Sequence, residues 1–339
     1  MKKPAYSIAV IGATGLVGRE VIELLDERGF PVSALQLYAS LRTAGDELRC
    51  GGVSARVELL DTARFDGTDL VFLAAGEQVS AEWASRATDA GAVVIDTSQL
   101  FAGDPDVPLV VPEVNAASIA DYSHRGLVAS PDAAAIAMSI VLKPLRAAGV
   151  LKRVVASTFE PVSGAGRTGI DELQQQAVEL MSGRSLELAP LRHRIAFNLV
   201  PQIGDFLEGG ATRDEQQTKD ALRRLLDDPE LAVSVTRVQA PLFFGAAIAM
   251  NVETVDRVTA AEAREAWRAA PGILLQDDVT TVSYPTPVDA VGQDAICVGR
   301  IRADEAANVL DVWVVFDNVR KGSAANAVQI AELLIRDYL

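Results

Sequence analysis

Gly12-Ala-Thr-Gly15-Leu-Val-Gly18 follows directly on the apolar run Ser7-Ile-Ala-Val-Ile11 and opens a segment with Val17, Val21, Leu24 and Leu25 at helical spacing. This order of strand, glycine turn and helix constrains the fold more than any other feature. A short apolar run ending in glycine reads as a strand buried on both faces, as in parallel sheets. The glycines allow a tight turn and a close backbone approach to a pyrophosphate. The helix N-terminus that follows offers unpaired N–H groups and a partial positive charge. Glycine spacing alone is weak evidence, but at a strand-to-helix junction it is a strong dinucleotide-binding signal. Pyrophosphate contacts are expected at Gly12, Thr14, Gly15, Leu16 and Val17.

Further apolar runs continue the pattern: Leu35-Gln-Leu-Tyr-Ala39, Leu70-Val-Phe-Leu-Ala74, Ala92-Val-Val-Ile95, Leu109-Val-Val-Pro112 and Gly126-Leu-Val-Ala129, with a helix over 82–90. Strands alternating with helices imply an α/β domain of Rossmann type, a doubly wound parallel sheet. After about residue 150 the strands lengthen and become β-branched, as in Arg153-Val-Val-Ala-Ser-Thr158, Ala232-Val-Ser-Val-Thr-Arg-Val238, Ala247-Ile-Ala-Met-Asn-Val-Glu253 and Val309-Leu-Asp-Val-Trp-Val-Val-Phe316. Several alternate as half-covered antiparallel strands do, with helices near 171–181, 214–226 and 260–269, so the second domain is α+β. The apolar last helix, 324–339, is expected to return to the first domain. The expected division is therefore 1–130 plus 318–339 for the dinucleotide-binding domain and 131–317 for the second.

The end of the second strand selects the cofactor. An NAD site usually places a carboxylate there for the ribose 2′-hydroxyl. Here the strand runs into Tyr38-Ala-Ser40-Leu-Arg42-Thr43-Ala-Gly45, which has none. Ser40, Arg42 and Thr43 can donate to a 2′-phosphate, so NADP is the expected cofactor.

Charge and composition narrow the partners. Against 31 Lys and Arg stand 46 Asp and Glu, a formal net charge of −15, which disfavours nucleic acid and anionic membrane surfaces. No apolar run approaches the length of a membrane span. Only two cysteines, Cys50 and Cys297, and two histidines, His124 and His193, are present. That composition offers no disulfide framework and no metal motif, and it fits a cytoplasmic protein. Ser7 and Gly12 interrupt any N-terminal signal pattern early.

Taken together, these stretches resemble the aspartate-semialdehyde dehydrogenase family over essentially the whole chain. The landmarks are Gly12 to Gly18, Ala39-Ser-Leu-Arg-Thr-Ala-Gly45, Val107-Pro-Leu-Val-Val-Pro-Glu-Val-Asn115, Val162-Ser-Gly-Ala-Gly166, Ile195-Ala-Phe-Asn198, Asp317-Asn-Val-Arg-Lys-Gly322 and Asn326-Ala-Val-Gln-Ile-Ala-Glu-Leu-Leu334. The resemblance implies reductive dephosphorylation of an acyl phosphate in amino-acid biosynthesis. A cysteine thiolate forms a thioester, NADPH delivers hydride and a histidine serves as acid and base. It also implies a homodimer built through the second domain, which would bind substrate as well, and further cofactor contacts at Gly76 and Asn318.

The chain departs from the family at the chemistry. Where the family has Asn-Pro-Asn-Cys-Ser/Thr-Thr before a helix ending Leu-Lys-Pro-Leu, this chain has Ser130-Pro-Asp-Ala133-Ala-Ala135, then Leu142-Lys-Pro-Leu145. The nucleophile position is Ala133. Where the family has Arg-Val-Pro-Val, two residues and Gly-His-Ser, this chain has Gln239-Ala-Pro241-Leu-Phe-Phe-Gly245-Ala246-Ala247. The base position is Ala246, and the position of a substrate-binding arginine is Gln239. The acyl-positioning glutamine becomes Glu160, a phosphate-binding arginine becomes Ala102, and a lysine becomes Gln217. Lost cations leave little to attract a dianionic acyl phosphate. In this the chain resembles the noncatalytic, Usg-type paralogues of the family.

The other candidates have plainer readings. Cys297 lies in an apolar strand, Cys50 in a polar loop, His193 and His124 in basic turns, and Asp132 at a helix start, where it would serve as a cap. Glu160 is the survivor with chemical potential, as a carboxylate facing a nicotinamide pocket. Two functions fit: a noncatalytic NADP-binding homodimer that regulates, scaffolds or pairs with an active relative, or an active NADP-dependent oxidoreductase on another carbonyl. Simple hydride transfer needs geometry and a proton source but no covalent nucleophile. A small-molecule ligand is compatible with both.

Overall fold

The computed structural model describes residues 3–186, 193–304 and 308–339. The chain forms two compact units, Met1–Asp132 with Gly322–Leu339, and Ala133–Lys321.

The first unit is built on a sheet of β1 (Tyr6–Ile11), β2 (Val32–Ala39), β3 (Glu47–Cys50), β4 (Val53–Leu59), β5 (Leu70–Leu73), β6 (Val93–Asp96) and β7 (Leu127–Ala129). Its order is β3-β4-β2-β1-β5-β6-β7, parallel except for the antiparallel β3–β4 pair. β1 has β2 on one side and β5 on the other, so strand order reverses there. That reversal is the switch point at which open α/β sheets bind ligands. Helices α1 (Leu16–Glu27), α2 (Glu77–Asp89) and the short α3 (Pro112–Asn115) follow β1, β5 and β6 in the chain. The last helix, α9 (Ala325–Asp337), belongs to this unit, and Val328, Ile330, Ala331 and Leu334 share its core with Val10, Val21, Leu24 and Leu25.

Two details differ from the sequence-based expectations. The run at 109–112 is no regular strand: Leu109 makes one isolated parallel bridge to Ala129, and α3 begins at Pro112. The Asn115 side chain intervenes, accepting from the Val111 N–H at 2.9 Å and donating to the Leu109 carbonyl at 2.8 Å. The β3–β4 hairpin was not anticipated. Its turn is Gly51-Gly52, with φ of +58° and +80°, the left-handed conformation that two-residue hairpin turns require.

The second unit carries a mixed sheet of β8 (Leu151–Glu160), β9 (Ala232–Gln239), β10 (Ala246–Thr254), β11 (Ile273–Leu275), β12 (Ile296–Asp304) and β13 (Val309–Phe316), in the order β11-β12-β13-β10-β8-β9. Its helices are α4 (Ala133–Ala148), α5 (Gly166–Met181), α6 (Arg213–Leu225), α7 (Ala260–Ala269) and the short α8 (Pro287–Ala290). α4 packs against α6 and α7, and the buried Trp267 of α7 donates from Nε1 to the Val141 carbonyl of α4 at 2.8 Å. Period-two alternation sorts the strands: Val154, Ala156 and Thr158 of β8 are buried, while Val155, Ser157 and Phe159 between them are half-exposed. On that second face Ser157, Ala249, Asn251, Arg300, Arg302 and Trp313 line a cavity of about 600 Å3. The fold is thus an α/β Rossmann-type unit followed by an α+β unit.

Candidate functional site

The glycine turn is held by steric necessity. Gly12 has φ +83°, and a Cβ there would fall 2.4 Å from the Ala74 carbonyl oxygen; one at Gly18 would fall 2.2 Å from that of Gly12. Gly15 is the N-cap of α1 and provides no side-chain cap, and the first turn of α1 holds no acidic residue. The first-turn N–H groups of Leu16 and Val17 therefore lack intrahelical acceptors and suit an anion. Close packing of Gly12 against Ala74 brings the next helix start, Gly76, beside the turn, and it too lacks a side-chain cap.

Beyond β2, Ser40 and Arg42 are exposed and Thr43 is half-buried. The Thr43 hydroxyl lies 2.6 Å from that of Thr14, linking this turn to the glycine turn. The Ser40 carbonyl accepts from the N–H groups of Thr43 at 3.1 Å and Ala44 at 3.2 Å, which shapes the turn. The nearby Asp46 is engaged by Arg19 Nη2 at 3.1 Å. These residues fit a dinucleotide, with donors at both the pyrophosphate and the adenosine ends.

In the second unit, Ala133 begins α4 and is half-buried, while Ala246 begins β10 and is buried. Ala247 pairs with Phe159, so the antiparallel register carries Ala246 to the Glu160 end of β8. Gly245 precedes it at φ +80°, where a Cβ would fall 2.2 Å from the Pro287 carbonyl oxygen. Its N–H donates to Asn318 Oδ1 at 3.2 Å, and Asn318 Nδ2 donates to Ser163 Oγ at 3.0 Å. Asn318 thus lies in the second unit with both ends of its amide engaged, fixing the backbone next to Ala246. Gln239 Nε2 donates to the Glu160 carbonyl at 2.7 Å. Glu160, Gln239, Ala246 and Asn318 therefore gather at one end of the sheet, with Gln217 on α6. Ala102 lies in the first unit, in a turn where its N–H donates to the Gln99 carbonyl at 3.2 Å.

Glu160 is no unattached carboxylate. Arg237 Nε donates to its Oε1 and Nη2 to its Oε2, each at 2.7 Å, and Thr158 Oγ1 donates to Oε1 at 2.6 Å. The pair is largely buried, with side-chain exposures of 7% for Arg237 and 15% for Glu160. Both carboxylate oxygens are thus engaged by the bidentate guanidinium, which holds the group in place and leaves it little freedom to reach a substrate.

Neither cysteine supplies a nucleophile. Cys50 is buried in the first unit, where burial and then the charge of Asp26 push its thiol up to about 11. Cys297 on β12 is buried beside Ala247, Ala290 and Val315, and burial, then Asp289, raises its thiol as well. A reactive cysteine needs the opposite shift. His124 is exposed at the end of a 3-10 turn. His193, also exposed, lines a cavity of about 620 Å3 with Val162, Ile195, Gln202, Asp205 and Gln239; Arg192 lies outside the described residues. Among the described residues, no group of three or more His, Cys, Asp or Glu could hold a metal ion. Nor is any helix there long and apolar enough to cross a membrane.

Arg237 is a site residue outside the sequence-based candidates. Its signal was present: in β9, Val235 and Arg237 are buried while Ser234 and Thr236 are exposed. A charged residue at an inward position of an alternating strand demands a buried partner.

Both units match known proteins. Residues 7–122 match the family model "Semialdehyde dehydrogenase, NAD binding domain", and residues 142–321 match "Semialdehyde dehydrogenase, dimerisation domain". The aspartate-semialdehyde dehydrogenase of Aquifex aeolicus is 42% identical over 337 residues, covering 98% of this chain and 99% of that one. The crystal structure of aspartate semialdehyde dehydrogenase II from Vibrio cholerae superposes with TM-score 0.95 at 41% identity, over 99% of this chain and 100% of the other. A probable aspartate-semialdehyde dehydrogenase from Pseudomonas aeruginosa gives TM-score 0.93 at 38% identity, with the same coverage. With both units matched along their lengths, the chain belongs to the aspartate-semialdehyde dehydrogenase family, with an NAD(P)-binding domain and a dimerisation domain.

Proposed function

We propose that this family member binds NADP(H) as a cytoplasmic homodimer and lacks aspartate-semialdehyde dehydrogenase activity, serving instead as a regulatory, scaffolding or relative-pairing protein. The observation that carries the reading is the pair of methyl groups at Ala133 and Ala246, where the family pattern has its thiol and imidazole. When bound, the cofactor supplies hydride. The chain's own part is binding: Leu16 and Val17 meet the pyrophosphate with backbone N–H groups, Gly12 and Gly15, whose own N–H groups donate to the Tyr38 and Gly12 carbonyls, shape the turn that lets it approach, and Ser40, Arg42 and Thr43 meet the 2′-phosphate. Without a thiolate at 133 no thioester forms, and without an imidazole at 246 the proton steps lose their carrier. General acid–base catalysis alone contributes about 10²–10⁴ in rate. Loss of the nucleophile removes the pathway itself. Neutral Ala102, Gln217 and Gln239 further weaken attraction for an acyl phosphate.

The test is phosphate-dependent NADP reduction with L-aspartate semialdehyde, on the wild type and on Ala133→Cys. No turnover is expected from either. Wild-type turnover comparable to that of an active relative would overturn the proposal. NADPH oxidation against a panel of other aldehydes is also expected to be absent; a positive there would instead make the protein an active oxidoreductase on a different carbonyl.

A further inference from the structure

Arg237 is built as a receptor for a carboxylate. Its guanidinium presents Nε and Nη2 side by side to one carboxylate, each at 2.7 Å, the two-pronged geometry by which arginine takes up carboxylate ligands. Nη1 is fixed by donation to Thr218 Oγ1 of α6 at 3.2 Å, with Asp214 Oδ1 at 3.9 Å. The Arg237 N–H donates to Glu215 Oε1 at 3.1 Å, and Glu215 Oε2 accepts from the Thr212 N–H at 2.9 Å. The guanidinium is thus oriented from β9 and α6 together, and the carboxylate it receives comes from β8.

We propose that Arg237 is a carboxylate-binding residue whose site is filled by the chain's own Glu160, and that this internal occupant closes the acyl-positioning corner to anionic substrates. The proposal deepens the reading above, resting on its assignment of residue 160 to that corner. A free guanidinium beside Gln239 would give an incoming carboxylate a partner. With Glu160 in place that partner is taken, and a second anion meets Glu160, Asp214 and Glu215 instead. Replacing Ala133 and Ala246 would therefore leave the corner blocked. Conversely, removing the Glu160 side chain beyond Cβ opens a space of the size and charge of acetate.

The experiment is chemical rescue, read as thermal stability of the full-length protein and not as activity. Glu160→Ala is unfolded thermally in sodium acetate, in sodium chloride of equal ionic strength and in acetamide. Acetate is expected to raise the midpoint saturably by roughly 2–4 °C over chloride, as a ligand bound only by the native state does. Acetamide, of like shape without the charge, should do neither, and wild type should show no such response. In Glu160→Ala/Arg237→Met the acetate effect should vanish, with stability above that of the single variant because the buried charge that had lost its two bonds to Glu160 is gone too. Should Glu160→Ala fail to fold, Glu160→Gln with and without Arg237→Met reads the same coupling, and the double variant should again be the more stable. An acetate response equal to that of wild type, or persisting without Arg237, overturns the proposal. So does a Gln variant that Arg237→Met fails to improve. None of these readouts depends on turnover, so failure here and failure of the activity reading are separate results.

Discussion

Replacing Arg42 by alanine is expected to cost NADP affinity and spare NAD. Arg42 is exposed in the turn after β2, the neighbouring Asp46 is held by Arg19, and Thr43 ties the turn to Thr14 of the glycine turn. On the proposed reading, the guanidinium meets the 2′-phosphate on the adenosine ribose of a bound NADP. A hydrogen bond to a charged group contributes about 1.5–3 kcal/mol, which corresponds to a loss of roughly 10- to 150-fold in NADP affinity. Exposure places the effect toward the lower end, since water screens the charge, and the loss should shrink as salt is raised. NAD, with a hydroxyl in place of the phosphate, offers Arg42 no such partner. The assay is calorimetric titration of wild type and Arg42→Ala with both oxidised cofactors at two salt concentrations. Wild type should favour NADP. The NADP-to-NAD ratio should fall in the variant through loss of NADP binding. An equal loss for both cofactors would assign Arg42 to the shape of the turn, and equal wild-type affinities would refute the selectivity itself.

Sedimentation at micromolar concentration should return twice the chain mass of 35.9 kDa, and Ala249→Arg, on the exposed face of β10 beside Ser157, should return the monomer. A wild-type monomer would sink the homodimer. Asp96, at the end of β6, accepts from Ser80 Oγ at 2.6 Å and from Ser98 Oγ at 2.9 Å, yet burial outweighs these donors and raises its carboxyl above the usual range. The native state then holds this proton more tightly than the unfolded chain, so the group's cost is constant above its folded pKa. That cost is relieved as pH falls through the folded value and is gone below the unfolded value of about 3.9. Denaturant titrations across that window should show wild type gaining on Asp96→Asn as pH drops; parallel profiles would contradict the assignment.

What the chain discloses in its sequence depends on whether the deciding interaction is local. The glycine turn was legible because its residues are contiguous and each answers a nearby steric demand: Gly18 leaves room for the Gly12 carbonyl. The returning C-terminal helix was legible because its apolar face has a period that needs a partner. By contrast, Leu109 to Val111 look like a strand to any local rule, but the Asn115 side chain takes the Leu109 carbonyl and the Val111 N–H, and the Asn326 side chain takes the Val110 carbonyl. The Gly51-Gly52 hairpin is local too, since paired glycines suit the positive φ that both turn positions adopt.

The site divides in the same way, between losses and gains. Ala133 and Ala246 are silent in themselves, since a methyl group has no hydrogen bond to satisfy and no charge to solvate. Their meaning comes entirely from comparison with a pattern that has sulfur and imidazole there. Glu160 and Arg237 are different, because each creates a physical obligation at an inward strand position. Their 77-residue separation hid the pairing until parallel β8 and β9 brought Thr158 opposite Arg237, with Glu160 one inward step further along. A buried charge unaccounted for in a sequence is therefore a question about a partner elsewhere in the chain. Here the answer changes the chemistry assigned to the site: the carboxylate that looked available for catalysis is already bound.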